Sequence, residues 1–304
     1  MKQRIQTQAV SRRRFLGQTA VGLGITCTGA KAIGEVAAGE PSGKPLQFGV
    51  VTDVHYADAD TRGSRHYRDS IGKLGQAIET FNKLNLAFVI ELGDFVDAGG
   101  SKEDELTYLQ TIDKVYQGFQ GDRHYVMGNH CLNAFTKQEF LAACGSKSKR
   151  SYYSFDCGGY HFVVLDANFK RDGSPYANGN FSWTDTWIAE SEQQWLKADL
   201  AAAGDTKTIA FLHQNLHDEK NAHGVKNAPD VRRILEEAGN VVAVFQGHDH
   251  SGGYVRIGGI HYTTLKAMVE GPAPENNSYA IVAVDAAGRI KLEGLGRQKD
   301  VAFD

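Results

Sequence analysis

The sequence predicts an α/β chain built as one mixed-sheet domain. Three observations lead there: the first half alternates short apolar runs with helix-period segments, the last quarter is rich in strand patterns, and no linker interrupts the stretch from Pro45 to Asp304. With 41% hydrophobic, 23% charged and 10% aromatic residues and only six prolines in 304, the chain can form a core. That composition excludes a disordered, collagen-like or disulfide-scaffold protein. No segment recurs with a period of roughly 20 to 50 residues, which argues against a solenoid or propeller.

Each element has its own signal. After a polar linker at about residues 38–45, the run from Leu46 to Thr52 predicts a first strand, and Ile71, Leu74, Ile78 and Phe81 recur at helical spacing. Leu86 to Leu92 reads as a buried strand, Lys102 to Gly118 as a second helix, and His124 to Met127 as a short strand. Tyr152 to Phe155 and Tyr160 to Leu165 form a hairpin pattern across Cys157, Gly158 and Gly159. Trp187, Ser191, Trp195 and Leu196 mark a helix closed by Gly204, and Thr208 to Leu212 is another strand. Further strands are expected at Val241 to Phe245, Tyr254 to Ile257, His261 to Leu265, Tyr279 to Val284 and Ile290 to Leu292.

The N-terminus differs in character. Ser11-Arg12-Arg13-Arg14-Phe15-Leu16 precedes a weakly apolar run from Gln18 to Gly29 and the small residues Ala30, Ala32, Ala37 and Ala38. Consecutive arginines ahead of Phe-Leu, with a glycine-diluted apolar run, resemble a signal read by the twin-arginine export machinery. Residues 1–38 are therefore expected to be signal peptide and linker, residues 39–304 a single domain, and the mature protein periplasmic or secreted. No apolar run reaches the roughly 18 to 20 residues of a membrane helix, so no stable membrane insertion is expected. Removing residues 1–38 takes away six of the 33 Lys and Arg and one of the 36 Asp and Glu, leaving a net charge near −8. So acidic a chain is not expected to bind a nucleic-acid polymer. Cys131, Cys144 and Cys157 remain; Cys144 with Cys157 is the expected disulfide, because Cys131 lies inside one of the motifs that follow.

Metal-ligating residue types cluster in five places: Asp53-Val54-His55, Gly93-Asp94-Phe95-Val96-Asp97, Gly128-Asn129-His130, His213, and Gly247-His248-Asp249-His250. The first four follow the apolar stretches Phe48 to Val51, Phe88 to Leu92, Tyr125 to Met127 and Ile209 to Leu212, at strand ends where open α/β sheets place their ligands. The i, i+2 spacing in Asp53/His55 and His248/His250 puts each pair on one side of an extended segment. Gly93, Gly128 and Gly247 are expected to turn the backbone sharply before each ligand. Carboxylate, imidazole and amide donors without thiolate suit Mn, Fe, Zn, Co or Mg. Asp53, His55, Asp94, Asn129, His213, His248 and His250 are too many for one open site and suit two ions. Two divalent ions against Asp53 and Asp94 leave a charge of about +2, which favours a phosphate ester over a neutral peptide. Taken singly, His213 reads as a packed histidine, Asp97 as a turn residue and Gly-His-Asp-His as a solvated turn. Their joint occurrence after strands outweighs those readings.

In this order, Asp-x-His, Gly-Asp-x-x-Asp, Gly-Asn-His, His and Gly-His-x-His, across about residues 46–270, resemble the signature of the calcineurin-like metallophosphoesterases. The resemblance implies a four-layer α/β/β/α sandwich, two packed mixed β-sheets flanked by helices, with the site on loops at one edge. It implies one metal on Asp53, His55, Asp94 and His250, and a second on Asp94, Asn129, His213 and His248, bridged by Asp94. His130, oriented by Asp97, would contact the scissile phosphate and protonate the leaving group after attack by a bridging hydroxide. The implied cofactors are two divalent or mixed-valence ions, Mn, Fe or Zn.

Phe48 to Asp53, Tyr56-Ala57-Asp58, His66 to Ser70, Gly247 to Tyr254, Val269-Glu270-Gly271 and Gly294 to Gln298 are similar to the Mn-dependent ADP-ribose/CDP-alcohol diphosphatase branch. The implied substrates are phosphorylated small molecules, nucleoside diphosphate-linked compounds in particular. Animal members of that branch carry Gln where this chain has His55, and the wider family carries Asp or Glu where it has Cys131. His55 returns the site to the general phosphoesterase pattern, so a broad phosphomonoesterase is the alternative, and a non-catalytic metal- or phosphate-binding module a further one. Arg62, Arg65 and Arg68 are candidate phosphate contacts, since guanidinium forks match phosphate oxygens. His217 and His223 are candidate pocket residues. Trp183, Trp187 and Trp195 could include a base-stacking platform, with helical spacing favouring core packing for Trp187 and Trp195.

Overall fold

The structure, a computed structural model, describes residues 45–285 and 287–303. All of them belong to one compact unit, residues 41–304; the arginine motif and apolar run read as an export signal lie outside the described residues. Two six-stranded mixed sheets form. In the first, β1 (Leu46–Val51), β2 (Phe88–Glu91) and β3 (Asp122–Tyr125) are parallel, and β10 (Ser278–Val284), β11 (Ile290–Gly296) and β12 (Val301–Ala302) extend antiparallel from β1. In the second, β5 (Tyr160–Val164), β6 (Thr208–Phe211), β7 (Val241–Gln246) and β9 (Ile260–Thr264) are parallel. Its edges, β4 (Tyr153–Cys157) and β8 (Gly253–Ile257), pair antiparallel. The orders are β12-β11-β10-β1-β2-β3 and β4-β5-β6-β7-β9-β8.

The period-two alternation of side chains explains why the central strands are apolar on both faces. Phe48, Val50, Phe88, Ile90, Phe162, Val164, Phe211 and Phe245 form the layer between the sheets. Phe48 stacks on Phe88 at 4.7 Å and meets Phe162, Phe211 and Phe245 edge-on at 5.7, 5.8 and 6.1 Å. The intervening residues Val51 and Val89 face helices α1 (Ser70–Leu84), α2 (Lys102–Tyr116) and α3 (Lys137–Ala143) through Leu74, Phe81, Leu109 and Phe140. Gly49 belongs to that face: a Cβ there would stand 2.8 Å from the Phe81 ring, so the ring packs on bare backbone. On the other sheet, Val163, Ala210 and Val244 meet Leu196 of α4 (Glu190–Ala203) and Ile234 of α5 (Ala228–Ala238). The result is the four-layer α/β/β/α sandwich.

Local chemistry sets the helix ends. Ser101 accepts from Asp104 N to cap α2, Thr136 and Glu139 form a reciprocal capping box on α3, and Asn85 and Gly239 end α1 and α5 in the left-handed region. Helices α3 and α5 are absent from the sequence reading, since α3 spans only two turns and α5 carries Pro229 in its first turn and shows a single apolar stripe, Val231, Ile234 and Leu235, among charges. Trp187 precedes α4 and bridges to Asn168 and Phe169 instead of opening the helix. Among the described residues no helix is long and apolar enough to cross a membrane.

The expected disulfide is not formed: Cys131, Cys144 and Cys157 are free. Cys144 caps α3 inside the cluster under the first helical layer, whereas Cys157 ends β4 and packs on the cluster between the sheets. Their elements put the two thiols in different layers.

Candidate metal centre

The five motifs meet because they all follow the C-terminal ends of parallel strands. Asp53 and His55 lie beyond β1, Asp94 beyond β2, Asn129 and His130 beyond β3, His213 beyond β6, and His248 and His250 beyond β7. Backbone and side-chain hydrogen bonds stitch these ends together: Asp53 N to Gly93 O at 3.0 Å, His55 N to Asp94 O at 2.8 Å, Gly247 N to His213 O at 2.9 Å. His248 N and His130 N donate to the carboxylates of Asp53 and Asp94 at 3.0 and 2.8 Å. The glycines permit the crowding. A Cβ on Gly128 would stand 2.1 Å from Asp94 Oδ1, one on Gly247 2.1 Å from Thr52 Oγ1, and one on Gly93 2.6 Å from His213 Nδ1. Only Gly93 also needs its positive φ, 104°; Gly128 and Gly247 serve close approach rather than a turn.

Four candidate ligands are themselves strained. Asp53, His55, Asp94 and His248 have φ of 51°, 45°, 57° and 69°, a region that costs a side-chain-bearing residue about 1 kcal/mol or more. Such strain persists only where surrounding contacts enforce it.

The donors fall into two groups that share Asp94. In the first, Asp53 Oδ1 lies 3.7 Å from His55 Nε2 and 3.5 Å from His250 Nε2, and Asp94 Oδ2 lies 3.6 Å from His55 Nε2. In the second, His213 Nε2 lies 3.1 Å from Asp94 Oδ2 and 3.1 Å from His248 Nδ1. The outer nitrogens are committed: His213 Nδ1 donates to Leu92 O at 2.9 Å, and His250 Nδ1 to Glu270 Oε1 at 2.6 Å. In the neutral tautomer that these bonds fix, the inner Nε2 atoms turn lone pairs on other acceptors, and His55 Nε2 and His250 Nε2 stand only 3.3 Å apart. Asp53 Oδ1 and Asn129 Oδ1 are buried without a hydrogen-bond partner. Buried acceptors facing acceptors are costly unless a cation lies between them. Adjacent ligands about 2.1 Å from one ion stand about 3 Å apart, so both groups fit divalent cations.

The same contacts set the charges of the carboxylates. Burial would raise the Asp53 carboxyl, yet His250 and His55 hold it well below its usual range; Asp94 is likewise lowered against burial, by His213 and His130. Burial and His213 push His248 well down, keeping it neutral. Burial also opposes the imidazolium of His250, but Asp53 and Glu270 push it up to about 9. These carboxylates are poised to be anions.

Asp97 joins the neighbouring histidines. Its carboxylate lies 3.0 Å from His55 Nδ1, 3.1 Å from His130 Nδ1 and 3.3 Å from Arg65 Nη1. Against burial, Asp94 and Asp97 raise the pKa of His130, whose ring lines a cavity of about 380 Å³ with Arg65, Asp94, Asn129, Trp183, His223, His248 and His250. Of the basic candidates only Arg65 reaches this cavity. Arg68 is turned outward onto Asp58 and Asp60 at 2.5 and 2.7 Å, and Arg62 is exposed, joined to Arg65 through its backbone. His217 packs against Gln246 Nε2 at 3.1 Å, outside the lining, and His223 takes the place expected for it. Cys131 is fully buried in the helix-side core and accepts from Phe95 N at 3.5 Å; burial, then Glu91, keep it a neutral thiol.

Two acidic residues to which the sequence assigns no role support the site. Glu270 orients His250, and its loop is pinned by buried Lys73, which donates to the carbonyls of Met268, Glu270 and Gly271 at 2.8, 3.2 and 2.6 Å. Glu91 ends β2 under the site, accepting from Gly93 N at 2.9 Å, and burial with Asp53 and Asp94 pushes its pKa well up. A charged residue inside the apolar stretch Phe88 to Leu92 is the sequence signal for Glu91, and membership of the Val269-Glu270-Gly271 stretch is the signal for Glu270.

This sandwich, with its paired donor groups at converging strand ends, defines a metal-dependent phosphoesterase. The profile of the calcineurin-like phosphoesterases matches residues 46–252, and the chain belongs to that family of hydrolases. A rice (Oryza sativa subsp. japonica) protein named manganese-dependent ADP-ribose/CDP-alcohol diphosphatase is 29% identical, over 85% of this chain and 94% of its own. An Arabidopsis thaliana protein of the same name is 28% identical, over 88% and 99%. Among solved structures, a dimetal phosphatase from Danio rerio superposes with a TM-score of 0.75 at 22% identity, covering 86% of this chain and all of its own. A purple acid phosphatase from yellow lupin superposes at 0.56 with 13% identity, over 85% and 54%.

Replacing the orienting carboxylate tests how the site is held. Glu270→Ala is expected to weaken Mn binding about 10- to 100-fold in calorimetric titration while the chain stays folded; undiminished affinity would show that His250 needs no such partner.

Proposed function

We propose that the chain hydrolyses the phosphoanhydride bond of nucleoside diphosphate-linked compounds, such as ADP-ribose or CDP-alcohols, at a dinuclear centre. The observation that carries this reading is the shared Asp94 carboxylate, whose Oδ2 stands 3.6 Å from His55 Nε2 in one donor group and 3.1 Å from His213 Nε2 in the other. Asp53, His55, Asp94 and His250 would hold one ion, and Asp94, Asn129, His213 and His248 the second. Manganese is favoured by the names of the rice and Arabidopsis relatives, which also supply the substrate class. Two ions so held acidify water and neutralise phosphoryl oxygens.

The chain's own residues do the rest. His130 keeps its Nδ1 against Asp97 and offers Nε2 to the cavity, where it can donate to a phosphoryl oxygen and to the oxygen of the departing group. Arg65 adds a positive charge to the same cavity, fixed by Asp97 at 3.3 Å. His55, which matches the general phosphoesterase pattern, favours phosphomonoester hydrolysis as the second reading. Export by the twin-arginine route extends the proposal to extracytoplasmic substrates, and its support is the Arg12-Arg13 motif with the glycine-diluted apolar run from Gln18 to Gly29.

With metal-free protein reconstituted with Mn, ADP-ribose and CDP-choline should be cleaved with higher kcat/KM than p-nitrophenyl phosphate or bis-p-nitrophenyl phosphate; the reverse order would favour the phosphomonoesterase. His130→Ala should lower kcat on the nucleotide anhydrides about 100-fold or more while Mn binding is kept. A loss of less than about threefold would remove His130 from the chemical step. In cells, the Arg12→Lys/Arg13→Lys double variant should accumulate as cytoplasmic precursor on fractionation, and normal export would end that part of the proposal.

A further inference from the structure

One wall of the cavity is not explained by the hydrolytic chemistry. Trp183 is 43% exposed and lines the cavity with its ring edge-on to His248 at 5.7 Å and 5.3 Å from His223. An indole left this open forgoes the burial that normally stabilises it. The other two tryptophans are accounted for: Trp187 lies under the Arg171 guanidinium, and Trp195 packs on Tyr152 and the outer core of the second sheet.

Trp183 is also held firmly. Asp185 N donates to Ser182 O at 2.9 Å, closing a turn with Trp183 at its second position. The hydroxyl of fully buried Tyr176 lies 2.9 Å from Ser182 O and 2.8 Å from Asp185 O, the two ends of that turn. Phe181 stacks on the Tyr176 ring at 4.5 Å. The loop's other aromatics anchor it inward while Trp183 is presented outward. A ring fixed in this way loses little freedom on contact with a ligand.

We propose that Trp183 is the stacking platform for the nucleobase of a nucleoside diphosphate-linked substrate, with the phosphates at the two donor groups and Arg65. The inference rests on the diphosphatase reading and specifies how that substrate class is chosen. Every base has a π-face, so stacking accepts adenine and cytosine alike, and it places no demand on the sugar or alcohol beyond the other phosphate. A single fixed indole thereby accounts for specificity toward a base without specificity for which base.

The test reads binding and turnover separately in the full chain. Loaded with Zn, the wild type should show tryptophan emission quenched by AMP and by CMP, and Trp183→Phe should lose that quenching. Trp183→Ala should lower the ratio of kcat/KM on ADP-ribose to that on a dialkyl diphosphate about tenfold, through KM, and Trp183→Phe should restore most of it. Quenching retained in Trp183→Phe, or a ratio within twofold of wild type in Trp183→Ala, overturns the platform even where ADP-ribose is cleaved. Trp183-dependent quenching in a wild type that cleaves only phosphomonoesters keeps the platform and rejects the diphosphatase reading. Absence of both quenching and nucleotide cleavage overturns the two together.

Discussion

The constraint on which the rest depends is the crowding of five strand ends into one small volume. Carboxylate, amide and imidazole groups from both sheets come within about 3 to 4 Å of one another only because Gly93, Gly128 and Gly247 remove side chains where backbones and ligands nearly touch. The layer of stacked phenylalanines around Phe48 fixes the separation and angle of the two sheets, and hence the distance from Asp94 on one to His213 on the other. The hydrogen bond from His213 Nδ1 to Leu92 O joins the sheets directly at the site. The positive φ of Asp53, His55, Asp94 and His248 is the local cost of this convergence, offset by the surrounding packing.

The same crowding determines the chemistry. Histidines whose outer nitrogens are bound to Glu270 and Leu92 turn lone pairs inward onto the carboxylates of Asp53 and Asp94, an arrangement a protein tolerates when cations join it. Asp97 stands outside both donor groups as a hub for His55, His130 and Arg65, tying the donor set to the residues that would meet the phosphate. Lys73, outside the cavity lining, holds the loop of Glu270 through three carbonyls and so carries order from α1 to His250.

Much of this was legible in the sequence. The strands and the ligand motifs share one signal, an apolar stretch ending in a polar pair, and that signal is local. The central strands, α1 and the seven candidate ligands follow from it directly. What escaped depends on tertiary contacts. Lys73 reaches Glu270 across 197 residues of chain, Arg62 and Arg68 are drawn off by a backbone pairing and by Asp58 and Asp60, and His217 and His223 occupy one loop with opposite outcomes. That Trp183, of the three tryptophans, faces the cavity depends on the turn and the Tyr176 hydroxyl, neither of which has a sequence signature. Cys144 and Cys157 show the limit of counting cysteines: parity suggests a bridge, but the layers assign the thiols to different clusters.

The central claim is that two donor groups bridged by one carboxylate hold two ions. Its most direct test is metal content, measured by elemental analysis of the chain saturated with Mn and freed of excess, combined with electron paramagnetic resonance. The account predicts two Mn per chain with the exchange-coupled spectrum of a bridged pair. A single Mn per chain, or two with uncoupled spectra, would contradict it.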